Sequence, residues 1–264
     1  MGLQSGEAIV LDVLDLQEYD RIVVFLTPEA GKKRGVANGA RRKYSRFAGQ
    51  IQSLAKVQVT WFEKEGRDLV RLSSVELMRS ADGLHATLEG ILVGAYLAEH
   101  VDAFAQDSDD SQLIYRLLNS TIEALLGGCD QALAMRYFES WLLRLGGVLG
   151  ISEECPSCGR VFSEPSPEGG VLGSALPRSD ETLLCSECAG AGGRVVSGEA
   201  LGFLREISGS SLAKMSRRSP PIEVLREIEE INGRIRRAFL QRELNSYRIM
   251  RETLAGLPLA TRPE

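Results

Sequence analysis

The sequence predicts a multidomain α+β protein: an N-terminal five-stranded β-barrel, an α-helical bundle domain and a zinc-finger-like insertion built on four cysteines. Three observations carry this. Residues 1–80 are short apolar runs with turn residues between them. Residues 84–149 and 220–254 place apolar side chains at helical spacing. Between them, two Cys-x-x-Cys pairs bracket a polar stretch. The expected domains are 1–80 for the barrel, 81–152 completed by 197–254 for the bundle, 153–196 for the cysteine element, and 255–264 as a flexible tail.

The strands come first. Glu7 to Leu16 and Tyr19 to Thr27 are rich in Val, Ile, Leu and Phe, with a short polar break between them. Pro28 to Gly31 is a turn, because Pro pre-sets φ and Gly supplies positive φ. Lys32 to Asn38 forms a third strand, ended by Asn38-Gly39. Val57, Val59 and Trp61 alternate with polar residues, and Gly66 turns the chain into Leu69 to Met78. Five short strands suit closure, which removes exposed edges. An OB-fold fits best, and an SH3-like barrel is the alternative.

Helices follow over 84–106, from Ser111 to Leu125, and from Asp130 to Leu149. Pro220-Pro221 opens a long helix to about Leu254, with Glu223, Glu227, Glu229 and Glu230 early and Arg234, Arg236, Arg237, Arg242, Arg248 and Arg251 late. That order complements the helix dipole, which is the favoured account of these arginines over DNA contact.

Of 264 residues, 44% are hydrophobic and 25% charged, as in an ordinary soluble globular protein. No apolar run reaches the ~18–20 residues that cross a bilayer. The N-terminus lacks the pattern of a secretory signal, so a cytoplasmic protein is expected. Net charge is −5, but it is +3 over 1–80, −7 over 81–150 and −1 over 151–264. A basic first segment beside an acidic second one suggests different partners.

The basic charge is concentrated in Gly31 to Arg46, which holds Lys32, Lys33, Arg34, Arg41, Arg42, Lys43 and Arg46 and no acid. Such an island in an acidic protein points to a polyanion, whose phosphates it would neutralise. On an OB barrel this stretch would line the face that binds single strands, with Tyr44 and Phe47 available to stack on bases or to pack the loop. Trp61 reads as core, and Arg21 as either part of the cationic face or solvent-facing. If most of the seven cations meet phosphates, log K should fall with log salt at a slope of roughly −3 to −5.

Cys155-Pro156-Ser157-Cys158 and Cys185-Ser186-Glu187-Cys188 lie 26 residues apart. Two such knuckles make a closed all-sulfur tetrahedral site, expected to hold one structural Zn(2+) at Cys155, Cys158, Cys185 and Cys188. Disulfides are disfavoured in the cytoplasm, and neither pair lies in a thioredoxin-like strand-to-helix context. The intervening segment is too polar to build a core, so metal would hold it together. Cys129 reads as a buried or loop thiol. There is no Walker A, G-x-S-x-G or H-E-x-x-H motif, and His85 and His100 are the only histidines. No catalytic constellation emerges, so a non-enzymatic role is expected.

The run EAIVLDVLDLQEYDRIVVFLTPEAGKKRGVANGARRKYSRF (Glu7 to Phe47) resembles the N-terminal signature of the bacterial RecO recombination mediators. The matching features are Tyr19 to Ile22, the turn Thr27 to Lys32 and the run Ala37 to Arg42. The four cysteines and RRAFLQRELNSYRIMRE fall where that family has its zinc element and final helix. The resemblance implies binding of single- and double-stranded DNA, annealing of complementary strands and partnership with RecR. It also implies help in loading RecA onto DNA coated by single-strand binding protein (SSB), contact with the acidic tail of SSB, and association with the nucleoid during repair. DNA contact carries over onto the seven cations of the basic stretch. An RNA-binding OB/zinc-ribbon protein and a protein–protein adaptor are the alternatives.

Overall fold

The computed structural model describes residues 2–64, 66, 68–105, 111–162, 174–176, 183–189 and 194–256. Most of the polar segment between the cysteine pairs and most of the expected tail lie outside them; Ala255 and Gly256 belong to the last helix. The chain forms two compact units, one of residues 1–126 with 243–264 and one of residues 127–242.

The first unit is built on strands β1 (Gly2–Leu16), β2 (Asp20–Thr27), β3 (Gly31–Ala37), β4 (Lys56–Glu63) and β5 (Leu69–Arg79). They close into a barrel in the order β1-β2-β3-β5-β4, with β3 and β5 parallel and the other pairs antiparallel. This is the connectivity of an OB-fold. The alternating side chains Ala8, Val10, Val23, Phe25, Val57, Val59, Trp61 and Leu72 fill its interior. Phe25 and Trp61 meet edge to face at 5.8 Å. The Thr27–Gly31 turn closes on itself: Thr27 Oγ1 donates to the Gly31 carbonyl and accepts from Ala30 N–H, while Gly31 takes φ +67°. Gly35 is required for a different reason. A Cβ there would stand 2.5 Å from a Leu72 methyl inside the barrel.

Helices α1 (Asp82–His85), α2 (Leu88–Phe104) and α3 (Gln112–Leu126) complete this unit with α9 (Asn245–Gly256). Thr87 caps α2 by accepting from Gly90 N–H. Arg79 on β5 reaches Glu123 and Asn119 of α3, at 2.8 and 2.9 Å. Tyr115 of α3 donates to Glu7 of β1, and burial is the main reason its hydroxyl pKa is raised, so it remains a donor.

The second unit holds α4 (Gln131–Leu145), short strands β6 (Ser174–Leu176), β7 (Leu184–Cys185) and β8 (Arg194–Val196), and α5 (Ser186–Ala189). Helices α6 (Gly198–Gly209), α7 (Leu212–Met215) and α8 (Ile222–Leu240) follow. Leu133, Phe138 and Leu142 of α4, with Leu204, Ile207, Ile228, Ile231 and Ile235, are among its buried apolar residues. A polar network is buried among them. Arg136 pairs with Glu139 at 2.6 Å and Glu229 at 2.8 Å, and Asn232 donates to Glu139 and Ser140. Arg236 is fully buried, so it is neither a dipole-complementing surface charge nor a DNA contact. Among the described residues no helix is long and apolar enough to cross a membrane.

The single helix expected from Pro221 to Leu254 is two. Gln241 adopts a left-handed conformation at φ 56°, and α9 restarts at Asn245. The reason is tertiary. Glu99 of α2 accepts from Asn245 N–H, Ser246 N–H and the Ser246 hydroxyl, capping α9 across the fold, and Leu244 is buried beside the break.

Candidate metal centre and nucleic-acid interface

The four-cysteine site grows out of two tight turns. In the first, Gly159 N–H donates to the Cys155 carbonyl at 2.7 Å, and Gly159 takes φ +73° to complete the knuckle. Cys155 N–H donates to the Arg160 carbonyl, and Phe162 N–H to the Glu153 carbonyl, so the turn closes as a small hairpin. In the second, β7 delivers Cys185 and α5 delivers Cys188. Arg160 and Glu187 clasp the two turns at 2.6 and 2.8 Å.

These turns bring all four sulfurs within 4.8 Å of one another. The Cys158 and Cys185 sulfurs are 3.7 Å apart. A tetrahedron of sulfurs 2.3 Å from a central zinc has edges of about 3.8 Å. The donor set is therefore both chemically and geometrically suited to a metal ion. Cys155 is biased toward thiolate: the Cys185 N–H donates to Cys155 Sγ and is the largest cause of a thiol pKa lowered to about 6. Cys188 moves the other way. The Ser157 hydroxyl pulls its thiol down, but the neighbouring Cys185 and Cys158 thiols, with burial, outweigh it. Four sulfurs this close would repel one another as thiolates, and a cation would offset that repulsion. Cys129 is half-buried with a raised pKa, burial being the main cause, and is not part of this cluster.

The basic stretch divides into three. Lys32 and Lys33 are each only 8% exposed. Lys32 Nζ donates to the Asp102 carbonyl and pairs with its carboxylate, and Lys33 Nζ binds Glu63 at 2.8 Å. Both ammonium groups are thus committed within the unit. Arg34 is exposed on the outer face of β3 and lines a cavity of about 950 Å³ with Leu14, Ile22, Val24, Leu69 and Ile91.

Arg41, Arg42, Lys43 and Arg46 are brought together and are exposed, on the loop from β3 to β4. That loop is pinned, not loose. Phe47, Ile51 and Leu54 are buried, and Leu54 and Ala55 exchange backbone hydrogen bonds with Val10 at the β1 bulge. Arg41 N–H donates to the Tyr19 carbonyl, and Gly39 N–H to Asp20 Oδ1. Arg41 and Arg21 share Asp15, so Arg21 does join the cationic end. Arg42, Lys43 and Arg46 have no carboxylate partner among the described residues. Of the two aromatics expected to stack or pack, Phe47 packs, at 2% exposure, and Tyr44 projects, at 90%. Tyr19 is an aromatic that sequence reasoning passed over. It sits in the polar break between two strands, and Arg42 lies 5.3 Å above its ring.

This geometry meets its relatives here. Residues 1–81 match the family model for the recombination protein O N terminal, and residues 85–248 match that for the recombination protein O C terminal. The chain belongs to the recombination protein O (RecO) family. It is 31% identical over 247 residues to the DNA repair protein RecO of Geobacter sulfurreducens, covering 93% of this chain and 96% of that protein. The RecO of Anaeromyxobacter sp. strain Fw109-5 is 30% identical over 247 residues, covering 92% and 94%. That of Geobacter metallireducens is 33% identical over 189 residues, covering 72% and 74%. The two family models together take in both the barrel with its basic loop and the four-cysteine element.

Proposed function

We propose that the chain is a non-enzymatic recombination mediator in DNA repair. It binds single- and double-stranded DNA, anneals complementary strands and, with RecR, assists RecA loading on DNA coated by SSB. The RecR and SSB contacts, and a cytoplasmic, nucleoid-associated location, rest on family membership. DNA contact rests on the loop. A closed barrel presents Arg41, Arg42, Lys43 and Arg46 on a pinned segment, three of them without a carboxylate partner among the described residues. Preorganised cations of this kind neutralise phosphates at little ordering cost. Arg34 is a further contact on a separate strand face. Lys32 and Lys33 support the barrel end in place of touching phosphate.

One structural Zn(2+) is bound by Cys155, Cys158, Cys185 and Cys188 in this reading. With four protein ligands it supplies folding energy and leaves no position for catalysis.

The burial of Lys32 and Lys33 sharpens the salt test. With three to five phosphate contacts in place of seven, log K for single-stranded DNA should fall with log salt at a slope of roughly −2 to −3.5. Fluorescence anisotropy of labelled oligonucleotides over a salt series measures it. A flat dependence contradicts phosphate contact.

A further inference from the structure

Tyr44 is 90% exposed, more than any other large apolar or aromatic side chain among the described residues. Its exposure is not a product of a frayed loop. Ser45 N–H donates to the Arg42 carbonyl, Ala48 N–H to the Ser45 carbonyl and Gln50 N–H to the Phe47 carbonyl, so consecutive turns fix the backbone on both sides. Three residues on, the same loop buries Phe47 in the barrel core. The loop therefore sorts its two rings, one anchored inward and one held out in water.

The projected ring has one cation against it, while Arg42 lies over Tyr19 and Arg46 over Phe47. Lys43 Nζ lies 5.6 Å from the Tyr44 ring centre, and Arg42 and Arg46 flank it in sequence. Tyr19, 45% exposed, carries Arg42 over its face and is tied to the loop by the Arg41 N–H bond to its carbonyl. A flat π-face beside phosphate-seeking cations is the chemistry of single-strand recognition: bases stack on the ring while ammonium and guanidinium groups track the backbone. Duplex DNA cannot use it, because its base faces are already stacked on one another. Phosphate contact alone does not distinguish the two forms.

We propose that Tyr44, with Tyr19 as a second ring, is a base-stacking platform that gives the basic loop its preference for unpaired DNA strands. This rests on the DNA-contact reading above and adds to it the residue that discriminates single strand from duplex. On binding, an incoming base covers the Tyr44 face, and the Lys43 ammonium leaves the ring for the adjacent phosphate.

The test compares Tyr44→Ala, Tyr44→Trp and Tyr19→Ala with the unmodified chain on an oligothymidylate and on a duplex of equal length, over a salt series. The platform predicts that Tyr44→Ala loses about 5- to 100-fold in single-strand affinity. Duplex affinity and the single-strand salt slope stay the same. Tyr19→Ala shows a smaller loss of the same kind. Tyr44→Trp retains binding, and its added indole fluorescence is quenched by the oligothymidylate and not by the duplex. An equal loss on both DNA forms, or no loss on the single strand, overturns the platform while leaving the loop a DNA site. Failure of the unmodified chain to bind either form overturns both readings together.

Discussion

Among the described residues, the basic loop and the four-cysteine element are held by opposite means. The loop between β3 and β4 is fastened by burying Phe47, Ile51 and Leu54 against a closed barrel and by backbone bonds to β1. Its support is spread over many contacts. Among the described residues the cysteine element buries Phe162, Leu183 and Val196 beside Cys155 and Cys185. It is organised about one point, the gathered sulfurs. Binding surfaces tolerate change when their scaffold is redundant; a metal-centred element stands or falls as a unit.

The largest effect should come from breaking that single point. Cys155→Ser with Cys185→Ser should reduce bound zinc from near one per chain to none, since structural zinc contributes an apparent ~10–16 kcal/mol in small domains. Amide exchange should rise over 153–162 and 183–189 and stay unchanged in the barrel strands. Elemental analysis with exchange mapping reads both. Acidification acts in the same direction, because the ligands bind as thiolates: zinc should be lost as pH falls and protons compete for the sulfurs.

Breaking the loop's anchor should cost less. Phe47→Ala leaves a hole in the barrel core and should destabilise the first unit by about 3–5 kcal/mol, seen in denaturant unfolding, with a parallel loss of DNA affinity. Smaller still is the cap of α9. Glu99→Ala removes the acceptor for Asn245 and Ser246 and should cost about 1–2 kcal/mol, with faster exchange confined to the first turn of α9.

The smallest effect belongs to Glu7. Its carboxyl pKa is lowered, first by the hydrogen bond from Lys56 at 2.8 Å. A lowered folded pKa gives stability that is full above the ordinary carboxylate range and disappears as pH falls through the folded value. The group is largely solvated, so Glu7→Gln should cost under about 1 kcal/mol at neutral pH and nothing in strong acid.

These contrasts also mark what could be read in the residues. Apolar runs bounded by turn residues located all five barrel strands, and alternation showed that Val57, Val59 and Trp61 face inward together. Cysteine spacing located the four-sulfur cluster that could hold a metal, because two residues between thiols suffice to make each knuckle. The fate of each cation was not legible. Lys32 is held by Asp102, seventy residues away, and Lys33 by Glu63 across the barrel end, and neither partner has a local signature. Phe47 and Tyr44 differ only in which side of a turn they occupy, and no periodicity reports that. The break between α8 and α9 was hidden for the same reason: Gln241-Arg242-Glu243-Leu244 are good helix formers, and the stop comes from Glu99. Where structure follows from neighbours in sequence it was legible, and where it follows from a distant carboxylate it was not.

In the proposed reading the pinned loop, and not the acidic remainder, contacts DNA. Charge reversal of Arg41, Arg42, Lys43 and Arg46 to Glu tests it most directly, by anisotropy titration of a labelled single strand at low salt beside a thermal melt. A loss of at least about 100-fold in affinity is expected, since each phosphate contact contributes to the salt-dependent term, with only a small fall in melting temperature from the lost Arg41–Asp15 pair. Unchanged affinity in a folded variant would contradict it.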